Sequence, residues 1–94
     1  MKIFVIATRD GDPDEIAPHL TAEAKMALQF VAADFIREIY SRADGNGAVL
    51  VVEEANLEAA QARLQTLPLV QKGLLKLDYL PVVPYRAIAA AAEA

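Results

Sequence analysis

Between Lys2 and Thr8 nearly every position is apolar and the run is rich in branched side chains, which suits a strand buried on both faces better than a short helix. The turn-rich "TRDGDPDEI" follows, with Asp12 placed to cap a helix, Pro13 to open it, and Asp14 and Glu15 to meet the positive end of its dipole. Pro18 divides this stretch into a short opening turn and a main helix expected from about Pro18 to Ala33. At 100° per residue, Leu20, Ala24, Met26, Ala27, Phe30 and Val31 gather on one arc of that helix, and Thr21, Lys25 and Gln29 on the other. One charged residue breaks the segregation: Glu23 falls inside the apolar arc.

"FIREIYSR", Phe35–Arg42, reads as the second strand. The following "ADGNG" holds both Asp-Gly and Asn-Gly, the strongest short-range hairpin signal, so "AVLVVE", Ala48–Glu53, should return antiparallel beside it. Asn56 is placed to cap a second helix in which Leu57, Ala60, Leu64 and Leu67 share a face, and Pro68 to help end it. Gly73 opens the last strand, roughly Leu74–Leu80. In "PVVPY" the prolines Pro81 and Pro84 lack donors, which predicts an extended arm, and Ile88–Ala94 reads as a weak helix or frayed tail. With no repeat and no linker, residues 1–94 form one domain, of which 81–94 are arm and tail.

The order strand, helix, strand, hairpin, strand, helix, strand is the split βαβ pattern. It predicts an α+β, ferredoxin-like βαββαβ sandwich: a four-stranded antiparallel sheet with two helices on one face. The other face cannot be polar. Ile3, Val5 and Ala7 alternate with Phe4 and Ile6, and Val49 and Val51 with Leu50 and Val52, so either choice of inward set leaves apolar side chains outward. A 94-residue chain that is 55% hydrophobic has little means of hiding such a face alone. Two sheets packed face to face resolve the problem, which predicts a homodimer, or a multiple of dimers, in the form of a dimeric α+β barrel.

Charge and composition narrow the chemistry. A net charge of −4 without a Lys/Arg cluster argues against nucleic acid or an anionic membrane as partner. The absence of cysteine removes disulfides, thiol nucleophiles and cysteine-rich zinc sites. The apolar start Met1–Thr8 is shorter than a signal peptide requires, so a cytoplasmic location is expected. Asp10, Asp12 and Asp14 alternate like the opening of a calcium loop, but its sixth and twelfth positions hold Glu15 and Thr21. Phosphate-binding glycine loops and serine-centred elbows are missing as well. Neither a metal nor a cofactor is expected.

The succession "LTAEAK", "FIREIY", an apolar strand and "LQTLPLV" resembles muconolactone isomerase and its small relatives among the dimeric α+β barrel proteins. The similarity runs from about Leu20 to Leu80, and its best local match is the "LPL" of Leu67–Leu69. The acid of the family's first helix corresponds to Glu23, the arginine opening its second strand to Arg37, and an aromatic residue on that strand to Tyr40. The opening loop, the hairpin and the C-terminal tail depart from the family pattern. The resemblance implies a cofactor-independent isomerase that shifts a proton within a small unsaturated lactone or similar carbonyl compound.

Residue by residue, each candidate has two readings. Glu23 is either an acid at a helix edge reaching for water, or a carboxyl whose pKa is raised by an apolar pocket and which serves as the base. Arg37 either pairs with Glu38 on the surface, or stands beside the pocket to hold a carboxylate or steady an enolate oxygen. His19, the sole histidine, lies one turn before Glu23. It lacks the further ligands of a metal site and serves as a cap, a pocket-lining group or a proton carrier. Tyr40, Met26 and Phe30 complete the expected substrate-binding set around a ligand-filled cavity. The competing functions are a non-catalytic small-molecule-binding or assembly module on the same barrel, and a cofactor-independent monooxygenase.

Overall fold

The apolar N-terminal run forms strand β1 (Lys2–Arg9) in the computed structural model, which describes residues 1–93. There follow a helical turn α1 (Pro13–Ile16), a 3-10 turn (Ala17–His19), helix α2 (Leu20–Ala32), strands β2 (Ile36–Ser41) and β3 (Gly47–Glu53), helix α3 (Leu57–Leu64), short helix α4 (Pro68–Gln71), strand β4 (Leu75–Val82) and helix α5 (Arg86–Glu93). The sheet order is β2-β3-β1-β4 with all neighbours antiparallel. This is the ferredoxin-like α+β arrangement expected from the alternation of elements. Among the described residues no helix is long and apolar enough to cross a membrane.

Local chemistry explains most boundaries. Asp12 Oδ1 accepts the Asp14 N–H at 2.8 Å and Pro13 takes the first helical position of α1. Asn56 Oδ1 accepts the Ala59 N–H at 2.8 Å to start α3. The main helix begins at Leu20 rather than Pro18, because a proline has no N–H to give to the preceding turn and the chain passes through a 3-10 turn there. It ends where Asp34 adopts the left-handed conformation, φ 61°, which a short polar side chain tolerates.

Two prolines act differently from expectation. Helix α3 is already over at Leu64, and Pro68 opens α4 instead of closing α3, its missing N–H being harmless at a first position. Pro81 lies within β4, paired with Ile3, because β4 is an edge strand whose outer side needs no donor. The extended arm is thus confined to residues 83–85. Of the tail expected over Ile88–Ala94, the described part is helical and Ala94 lies outside the described residues.

The strands sort their side chains by parity. Ile3 and Val5, opposite Val52 and Leu50, point to the helices and are fully buried or nearly so. They form the core with Phe35, Ile36, Ala60 and Leu64. On the other face Phe4 stands between Val51 and Leu80, and Ile6 opposite Val49. Phe4, Ile6 and Leu80 are 37%, 39% and 62% exposed, so the face without helices carries an exposed apolar patch, bordered by Asp78 opposite Ile6, Lys76 opposite Thr8 and Glu38 opposite Val51.

Candidate active site

Where the two layers present small residues, they fail to fill the space between them. Ala7 and Ala48 are cross-strand partners in the sheet, and Ala24 and Ala27 lie above them on α2. Interiors close-pack when side chains are large enough to interdigitate, and four alanines bordering one space leave a gap. The result is a cavity of about 270 Å³, floored by β1, β3 and β2, roofed by α2 and closed on one side by Leu67 and Leu69. That is close to the lower end of the roughly 300–1,000 Å³ usual for small-molecule sites.

Among the described residues Glu23 is the one carboxylate in the cavity wall. It sits in the first turn of α2, half-buried, and its Oε1 accepts the Leu69 N–H at 3.0 Å. Burial disfavours the ionised form and raises its pKa above the ordinary 4.5, outweighing the Leu69 hydrogen bond and the nearby positive charge of His19, which both lower it. The acid in the apolar arc therefore faces a cavity and a helix end together. The half-buried side of α2 is made of Glu23, Met26, Ala27 and Phe30, with Glu23 at its N-terminal end.

The other expected site residues are spread around this point. His19, half-buried, precedes α2 and acts on Glu23 through its charge. Met26 and Phe30 pack against the core cluster and do not line the cavity. Phe30 meets Phe35 edge to face at 5.2 Å. Tyr40 pairs with Val49 on the face without helices, is 57% exposed, and donates its hydroxyl to Glu38 Oε1 at 2.6 Å. Strand parity thus directs it away from the cavity. Arg37 falls at a β-bulge between Ile36 and Glu38, where it is exposed and gives its Nε–H to the Asp34 carbonyl at 2.6 Å. It too lies outside the lining.

The polar side chains that do line the cavity besides Glu23 are Arg9 and Ser41. Neither was singled out by motif. Both could have been found by parity, since Arg9 continues the inward series Ile3, Val5, Ala7, and Ser41 is the partner of Ala48. No group of three or more metal-ligating side chains is placed to hold an ion among the described residues.

No protein-family model matches the sequence, and no curated protein matches it. Solved structures do. Muconolactone isomerase superposes with a TM-score of 0.75 at 19% identity, over 90% of this chain and 91% of that one. The 5-chloro-2-hydroxyhydroquinone dehydrochlorinase TftG from Burkholderia phenoliruptrix AC1100, in complex with 2,5-dihydroxybenzoquinone, gives 0.70 at 12% identity over 93% and 98%. Rv0793 from Mycobacterium tuberculosis gives 0.55 at 20% over 90% and 98%. The resemblance read from sequence is thereby met at the level of the fold, which at these identities is what such a likeness establishes.

Proposed function

We propose that this chain is a cofactor-independent acid–base catalyst that shifts a proton within a small unsaturated lactone or related carbonyl compound. The observation that carries the reading is Glu23: a carboxylate in the wall of an otherwise largely apolar cavity, with burial pushing its pKa upward. A carboxyl group whose pKa moves toward neutrality both accepts and returns a proton more readily. The Leu69 N–H holds Oε1, which orients the group and leaves Oε2 to take a proton from a carbon next to a carbonyl and deliver it to another carbon of the conjugated system. The fold neighbours support the substrate class, one being an isomerase of a lactone and the other a dehydrochlorinase bound to an oxygenated six-membered ring. Two chains packed through their apolar sheet faces form the proposed assembly, a homodimer.

A binding module is the rival, and one observation favours it: the Leu69 hydrogen bond gives Glu23 a structural duty that needs no chemistry. Exchange of solvent deuterium into an unsaturated γ-lactone, followed by NMR, separates the two. Glu23→Gln keeps shape and an acceptor for Leu69 but has no proton to transfer, so exchange should fall by about 10²–10⁴-fold while affinity changes little. Wild type that catalyses no exchange would leave the binding module as the account of the cavity, whereas Glu23→Gln that exchanges as fast as wild type would pass the role of base to His19.

A further inference from the structure

The turn that joins β2 to β3 carries chemistry of its own. The chain has two asparagines, Asn46 and Asn56, in opposite surroundings. Asn56 precedes the bulky Leu57, and its Oδ1 accepts the Ala59 N–H at 2.8 Å as the cap of α3. Asn46 precedes Gly47 and is exposed, and among the described residues its carboxamide makes no hydrogen bond. Only its main chain is tied, the N–H to Asp44 Oδ1 at 2.9 Å and the carbonyl to the Arg9 N–H at 2.9 Å. Asp44, which precedes Gly45, is a poorer electrophile, because its ionised carboxylate is held by Arg42 at 2.6 Å.

A glycine nitrogen has no side chain beside it to block the approach of the preceding carboxamide. The Gly47 nitrogen can therefore attack Asn46 Cγ. A bond forms between them, the bond from Cγ to the side-chain nitrogen breaks, and ammonia leaves with the proton lost by Gly47. Water then opens the cyclic imide. Addition at Cγ gives aspartate with the original main chain, and addition at the α-carbonyl gives isoaspartate, whose main chain runs through Cβ and Cγ.

The position of the turn gives this reaction a consequence. Gly47 and Arg9 both line the cavity, and the space at Gly47 is so close that a Cβ there would run into the Ala7 carbonyl. Isoaspartate adds a main-chain atom directly before Gly47. It also turns the carbonyl that accepts the Arg9 N–H into a side-chain carboxylate, no longer bonded to the Gly47 nitrogen, so the tie that fixes the start of β3 against β1 is undone. We propose that Asn46 is a site of spontaneous deamidation and isomerisation, and that its conversion to isoaspartate remodels the floor of the cavity as the protein ages. No step involves Glu23, so the outcome is independent of the proton-transfer reading.

The test ages the folded full-length chain in mildly alkaline heavy-oxygen water, beside the same chain unfolded in urea. Peptide mapping by mass spectrometry, with electron-based fragmentation to separate aspartate from isoaspartate, should find hydroxyl in place of amine and a labelled oxygen at position 46, with both products present and Asn56 intact. Amide hydrogen exchange followed by NMR should quicken about tenfold or more at Ala48, which pairs with Ala7 and Ser41, as isoaspartate accumulates, while Tyr79 in β4 keeps its rate. Asn46→Gln, whose longer side chain disfavours the ring, should show neither change. Freshly prepared Asn46→Asp, which has the charge without the extra main-chain atom, should exchange at Ala48 as unaged wild type does. Asn46 that stays amidated in the folded chain while the unfolded chain converts, or Asn56 that converts as fast, overturns the site. Conversion to isoaspartate with an unchanged Ala48 rate, or fresh Asn46→Asp that already exchanges like aged wild type, overturns the remodelling.

Discussion

Glu23 Oε1 accepts the backbone N–H of Leu69 at 3.0 Å, tying the first turn of α2 to the first turn of α4 across 46 residues of chain. A part-buried N–H that loses its acceptor costs on the order of 1–3 kcal/mol. Glu23→Ala should therefore lower the urea midpoint by an amount in that range at constant m-value, whereas Glu23→Gln, which keeps an acceptor, should change stability by less than about 1 kcal/mol. Equal losses in the two variants would mean that the hydrogen bond contributes nothing.

The same residue has a pH signature. Because burial raises its pKa above 4.5, the folded chain holds more protons than the unfolded chain between that value and the raised one, so stability falls as pH rises across this window and is level above it. Asp44 and Glu54 behave oppositely. Backbone N–H groups of Asn46 and Ala55, with Arg42 and Arg63, hold their pKa values down, and the stability they add is lost as pH falls. Glu23→Gln removes the first effect only. Its unfolding temperature relative to wild type should climb as pH rises from about 4.5 and then plateau. A difference that is flat, or that grows on acidification, contradicts the raised value.

Two glycines of the hairpin should respond differently to alanine. At Gly47, φ 141°, a Cβ would run into the Ala7 carbonyl of the neighbouring strand, so Gly47→Ala must displace β3 from β1 beside the cavity. At Gly45, φ 73°, a Cβ meets nothing, and only the left-handed backbone resists, at about 1–2 kcal/mol. Thermal unfolding should show a small loss for Gly45→Ala and a loss of at least about 3 kcal/mol, or no folded protein, for Gly47→Ala.

The outer sheet face gives the fourth expectation. Phe4 and Leu80 are direct cross-strand partners there, and both are exposed in the single chain. Lysines at both positions would place two charges in the proposed interface, each costly to bury unpaired. Sedimentation equilibrium should show wild type as a dimer or a multiple of dimers and the Phe4→Lys, Leu80→Lys chain as a monomer. A wild-type monomer at micromolar concentration would contradict the paired barrel.

The fold was legible because its signals are local: the branched apolar runs of β1 and β3, caps at Asp12 and Asn56, and the glycine-bearing turn between β2 and β3. Glu23 was legible for a related reason, as a charge on an apolar arc must face something unusual. Pro68 and Pro81 misled because proline forbids one hydrogen bond without saying which element supplies the neighbours. Tyr40 and Arg37 depended on parity and on a bulge of one residue in β2, and neither leaves a mark in composition. Arg9 and the alanine quartet lay in plain view, but a cavity is made of absent atoms. Only the facing of Ala7 and Ala48 by Ala24 and Ala27 turns four common residues into a site.

The sheet order has a consequence for how the chain comes into being. Strand β1, made before the other three, is central and pairs with residues 47–53 on one side and 75–82 on the other, so that Lys2 lies opposite both Glu53 and Val82. One edge of β1 finds its partner only when residues 47–53 have been made, and the other only when residues 75–82 have. Contacts between the chain's two ends carry the largest closure entropy and slow the search. During synthesis the segment "KIFVIAT" waits as an unpaired apolar strand, exposed to any other strand nearby. The turn-rich acidic stretch that follows it, Asp10 to Glu15, puts charge and a proline directly beside that segment, where they hinder stray pairing until β4 arrives.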